Sequence, residues 1–172
     1  MLQSAVAARE EHDGPAQHAR GFRYINSEDF VLVNGVDFDP TPLTADERAY
    51  VDSLVAAQLG TPKPQACYSN SLMLAAGDRE GRLQYVEGYC LETTTFENWF
   101  LHGWLSLGGK VVDVTLGVYG NWTDIREYFG VTFPKPYLAK SMARCLELGI
   151  PTGSLVDFWE AGWPLRKGEP WQ

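Results

Sequence analysis

The chain has 172 residues, of which 45% are hydrophobic, 13% aromatic and 21% charged, a composition that builds one globular domain with its own core and argues against a disordered or fibrous protein. Its formal charge of −8, with no run of Lys and Arg, argues against a partner made of nucleic acid. No apolar run approaches the roughly 20 residues that span a bilayer, and the opening residues lack a signal pattern, so a cytoplasmic protein without membrane contact is expected.

Residues 1–20 are polar and hold two of the three histidines, His12 and His18; they read as a mobile arm ahead of a single domain over 21–172. The alternation in residues 22–40, with Asn34-Gly35 as a turn signal, predicts one or two short strands. In residues 43–60, Thr44 with Glu47 forms a capping box and Gly60 a stop, so a helix is expected between them. "TPKPQACYSNSLMLAAG" then places two prolines before a second helix that starts near Pro64 to Ala66 and ends at Gly77. "LQYVEGYCL" (83–91) is apolar on both faces and reads as a central strand. A loop is expected at 93–99, followed by two strands around Gly108-Gly109. Three helices close the chain: "WTDIREYFG" (122–130), "PYLAKSMARCLELG" (136–149) and "SLVDFWEAG" (154–162), with Trp159 and Trp163 packing the last. The fold class expected is α+β, a helix packed on an antiparallel sheet.

The three cysteines, Cys67, Cys90 and Cys145, are too few for a disulfide framework and suit a reducing compartment. With no CxxC, no HxxxH and no glycine-rich phosphate loop, neither metal nor cofactor is expected. Cys90 and Cys145 lie in apolar strand and helix patterns and read as core. Cys67 is different, because it falls in the first turn of its helix, where unpaired N–H groups and the positive end of the dipole favour a thiolate.

A cysteine nucleophile needs a base, and His102 is the one histidine within the predicted domain. If Gly108-Gly109 is a two-residue turn, Leu107 pairs with Lys110, Trp104 with Asp113 and His102 with Thr115. His102 and Asp113 then share a face as diagonal neighbours, within reach of long side chains. An aspartate inside a strand is itself unfavourable and asks for a partner. Cys67, His102 and Asp113 thus supply nucleophile, base and orienter. Gln65 and Asn70 flank the cysteine, Gln65 as an oxyanion donor with the Cys67 N–H and Asn70 as site support. Glu87 stands on a Leu and Tyr face, where burial raises a carboxyl unless it is hydrogen-bonded, and bracing a loop or helix end is its expected role. Trp99, Trp104 and Trp122 are candidates for the walls of a substrate cleft.

With a helix-borne Cys in "QACYSN", a His in "FLHGWL" and an Asp in "GGKVVDVT", residues 61–117 resemble the papain-like cysteine hydrolase superfamily, in particular its transglutaminase-like branch. The chain is also similar to small bacterial and phage proteins in which a CYxN helix precedes a YVEGY strand and an H-x-W and D-x-T hairpin. The resemblance implies a papain-like or transglutaminase-like core. It also implies a thiol protease or amidase that cleaves an amide, peptide or isopeptide bond through a thioester acyl-enzyme, on a protein or peptide substrate. The glutamine that papain-like proteases place several residues before the cysteine has no counterpart at that distance; Gln65 is two residues upstream. Two alternatives stand beside hydrolysis. One is acyl transfer to an amine by the same triad, and the other is a catalytically silent module that holds a protein partner, such as a phage factor binding a host protein in the host cytoplasm.

Overall fold

In the computed structural model, residues 21–92, 98–116 and 125–172 are described. The expected arm at 1–20, residues 93–97 of the loop expected at 93–99 and Trp122 therefore lie outside the described residues, while Asn98 and Trp99, the rest of that loop, are strand. The order of elements is α1 (Ser27–Asn34), β1 (Val36–Phe38), α2 (Ala45–Gln58), α3 (Cys67–Gly77), β2 (Leu83–Glu92), β3 (Asn98–Leu107), β4 (Lys110–Val112), β5 (Ile125–Phe133) and α4 (Lys135–Leu148), then a 3-10 turn at Trp159–Ala161. The five strands form one antiparallel sheet in the order β1-β5-β2-β3-β4. The architecture is mixed α+β. None of the described helices is long and apolar enough to cross a membrane.

Several elements follow from local chemistry. Thr44 and Glu47 make the reciprocal capping box that opens α2. Gly149, at φ 66°, ends α4 in the left-handed conformation that glycine adopts without a Cβ clash. β2 is the central strand, paired on both sides, and its side chains are buried on both faces from Tyr85 to Leu91.

Three expectations are corrected. Residues 27–34 form a helix rather than a strand, because the Asn26 side chain accepts from the Asp29 N–H and caps it. The segment read as a helix at 122–130 contributes strand β5 instead, paired with β2 along its length; Tyr128, Phe129 and Val131 are β-formers that tertiary pairing claims. The stretch 154–162 is turns plus one short 3-10 piece, with Trp159 61% exposed rather than packed, since Glu87 takes the backbone N–H groups of Leu155 and Val156 out of any helical pattern.

The sheet separates two apolar cores. The larger, including Leu72, Leu74, Tyr85, Leu105, Phe133 and Leu138, lies between the helices and one face. The smaller fills the other face with Phe38, Val86, Cys90, Trp104 and Tyr128. That face is concave, because the two outer strands meet: the Asp39 N–H donates to the Gly109 carbonyl at 3.0 Å, and the Val111 N–H to the Asp39 carbonyl at 2.8 Å. Trp104 fills the interior only because Gly130 has no side chain, since a Cβ there would stand 2.6 Å from its ring. Trp104 has no exposed surface, so it is core and not the cleft wall expected of it.

Candidate active site

Helix α3 lies on β3 and β2 with its C-terminal end at the start of β2, where the Asp78 side chain accepts from the Leu83 N–H at 2.6 Å. Its first turn rests on Gly103, where a Cβ would come within 2.8 Å of the Tyr68 ring and 3.2 Å of the Tyr68 Cα. Glycine is what permits this approach. Cys67, the first residue of the helix and partly exposed, is thereby brought to the strand position next to His102.

Along β3, β4 pairs with Leu105, Ser106 and Leu107, in the register expected from a two-residue turn. The ladder then stops, one pair short of the expected Trp104–Asp113 partnership. Asp113 leaves the sheet because its Oδ1 accepts the N–H groups of Thr115 and Leu116, at 3.0 and 2.9 Å, which turns the chain outward. Its other oxygen, Oδ2, lies 2.7 Å from His102 Nε2. The Cys67 side chain is hydrogen-bonded to the same ring. With Nε2 engaged by the carboxylate, Nδ1 is the ring nitrogen left for the sulfur.

The electrostatics follow from burial and partners. His102 is 2% exposed, stacked beside Trp104 with ring centroids 6.3 Å apart. Burial alone would disfavour its charged form, but the hydrogen bonds to Asp113 and then Cys67 outweigh it and raise its pKa from 6.5 to about 9. For Asp113 burial works upward, and the His102 hydrogen bond, with those from Leu116 and Thr115, holds the carboxyl below its usual range. Burial pushes the thiols of Cys90 and Cys145 up, in keeping with core residues.

The remaining predicted site residues fall into separate places. Asn70 is buried and spans two loops: its amide donates to the Lys63 carbonyl at 2.8 Å and to the Thr115 hydroxyl at 3.0 Å, while its oxygen accepts the Lys63 N–H. It ties the approach to α3 to the turn that carries Asp113. Asn70→Ala is expected to cost about 1–3 kcal/mol in urea unfolding, the cost of unmade buried hydrogen bonds, and to slow Cys67 alkylation by loosening that tie. Gln65 is exposed and adopts φ 59°, a left-handed conformation that strains a non-glycine backbone two residues before the cysteine. Among the described residues no hydrogen bond ties its side chain to Cys67, His102 or Asp113. The N-cap residue is Ala66, which has no side-chain oxygen to cap the first-turn N–H groups.

Glu87 is fully buried and gathers the C-terminal loop rather than the reacting groups. It accepts from the Tyr85 hydroxyl at 2.6 Å, the Ser154 hydroxyl at 2.7 Å and the N–H groups of Leu155 and Val156 at 2.7 and 3.0 Å. Tyr68, adjacent to Cys67, reaches the same loop by a hydrogen bond with Ser154, and its phenol is pushed up by burial and by the charge of Glu87. Trp99 is half-buried against the larger core. Two contributors escaped the sequence reading: Thr115, whose D-x-T spacing is a local signal for such a turn, and Tyr128 of β5, whose hydroxyl lies 3.2 Å from Asp113 Oδ2 and which no local signal reveals.

No family model, curated protein or solved structure matches the chain. Its chemistry is therefore read from the site's own geometry. Among the described residues no group of three or more His, Cys, Asp or Glu side chains is placed to hold a metal ion.

Proposed function

We propose that this protein is a cysteine hydrolase of papain-like type, closest in plan to the transglutaminase-like branch, which opens an amide, peptide or isopeptide bond of a protein or peptide substrate. One observation carries the reading: a single buried histidine held between a buried carboxylate at 2.7 Å and a cysteine at an uncapped helix N-terminus.

In this reading the pair rests with the Cys67 proton already on His102 Nδ1, as thiolate and imidazolium, and Asp113 stabilises that imidazolium through Nε2–H. The thiolate attacks the carbonyl carbon; the new S–C bond pushes the carbonyl electrons onto oxygen, where the uncapped N–H groups of the first turn of α3 receive the charge. His102 Nδ1–H then protonates the departing nitrogen, the C–N bond breaks, and a thioester remains on Cys67. Water, losing its proton to His102, attacks the thioester and releases the acid and the thiolate. An amine in place of that water gives acyl transfer by the same steps.

The test is the alkylation rate of Cys67 by iodoacetamide at pH 6.5, followed by peptide mass spectrometry, against glutathione. An unassisted thiol is only about 1% ionised there, so Cys67 is expected to react tens of times faster. Alkylation at or below the glutathione rate would remove the nucleophile from the proposal.

A further inference from the structure

We propose that Tyr128 is a positioning residue for His102, acting through Asp113, because its hydroxyl and the imidazole share one carboxylate oxygen. Tyr128 Oη lies 3.2 Å from Asp113 Oδ2, and His102 Nε2 lies 2.7 Å from that same atom. The two backbone N–H groups on Oδ1 complete four donors around the carboxylate. The phenol ring is fixed independently, edge-on to Trp104 with centroids 5.2 Å apart, and only 7% exposed. Its position is thus set by the smaller core and not by the hydrogen bond it makes.

The consequence is competition. Each donor draws off part of the negative charge that Asp113 offers to the imidazolium. Burial and the charge of Asp113 push the Tyr128 phenol up, so it remains a neutral donor. The other titratable groups facing the pair are Cys67 of α3 and Cys90 of β2, the latter held as a thiol by burial. Tyr128 therefore sets how firmly Asp113 holds the proton on His102. Its meaning for catalysis rests on the hydrolase reading; the coupling itself does not.

The test is an NMR titration of the ring nitrogens of His102 in the whole chain. Tyr128→Phe keeps the ring and removes the donor, so the His102 midpoint is expected to rise by about half to one pH unit, the size of one ordinary hydrogen bond. Replacement of the tyrosine by 3-fluorotyrosine strengthens the donor and is expected to move the midpoint down. A purely structural role moves both in one direction or neither, and either of those results overturns the proposal. Alkylation of Cys67 measured in parallel separates the two claims. Fast alkylation with an unmoved midpoint removes the role of Tyr128 and leaves the hydrolase reading, whereas opposite midpoint shifts with glutathione-like alkylation keep the coupling and remove that reading.

Discussion

His102→Gln is expected to slow alkylation of Cys67 by one to two orders of magnitude at pH 6.5, and by progressively less as the pH passes 9. The glutamine amide can still donate to Asp113, so the geometry is kept while the proton acceptor and its charge are lost. An ordinary thiol is about 1% ionised at pH 6.5 and mostly ionised above 9, which sets both the size of the effect and its disappearance. Stability should show the same window. The His102 pKa is raised from 6.5 to about 9, so its contribution is fully present below about 6.5 and is lost as the pH rises through about 9. Asp113 is lowered from 3.8, so its own contribution is lost only on acidification through the carboxylate range. The difference in urea stability between wild type and His102→Gln should therefore be largest between about pH 5 and 6.5 and narrow by pH 10. A difference that grows with pH would contradict the assignment of charge to the ring.

The second large effect is on the fold. Glu87→Ala is expected to destabilise the protein by about 3–5 kcal/mol, since several buried donors lose their acceptor at roughly 1–3 kcal/mol each and relax only in part. The Tyr85 hydroxyl and the two backbone N–H groups that converge on its carboxylate have no route to water, because Tyr85, Leu155 and Val156 are each 1% exposed or less, and only the partly buried Ser154 hydroxyl is nearer the surface. Against a typical total of about 5–15 kcal/mol this is a large share, and the unfolding midpoint in urea reads it directly. Glu87→Gln should fall between the two, since its carbonyl oxygen still accepts while its amide nitrogen confronts donors. An alanine variant as stable as wild type would show that the loop at 154–156 holds itself in place.

Much of the candidate site was legible because its parts are local. A proline pair ahead of a helix fixes where Cys67 falls, and a two-glycine turn fixes which face Asp113 shares with His102. What the pattern could not show was Asp113 leaving the ladder to bind Thr115 and Leu116, since side-chain competition with strand pairing leaves no mark in hydrophobic periodicity. The error at 122–130 has a related cause. Ile125, Tyr128 and Phe129 fit a helical spacing as well as a strand, and only the empty side of β2 decides between them. Tyr128 was illegible for the same reason, because its partner lies on a different strand and its position depends on the register of the whole sheet. The carboxyl of Glu87 on a face of Leu and Tyr was readable as an anomaly but not its solution, which arrives from a loop nearly seventy residues away.

The strand order also sets a sequence of assembly. The reacting groups all come from residues 67–113, a nearly continuous run of helix, strand and hairpin, whereas the sheet is completed by β5 and β1, which join distant parts of the chain. Contacts that close short loops form sooner than those that close long ones. A chain made from its N-terminus can accordingly bring Cys67, His102 and Asp113 into range before β5 exists, while Tyr128 and the loop clasped by Glu87 arrive afterwards. At that stage the cysteine stands beside a histidine still open to water, and the burial added by β5 works against the imidazolium, which the hydrogen bond to Asp113 then has to outweigh.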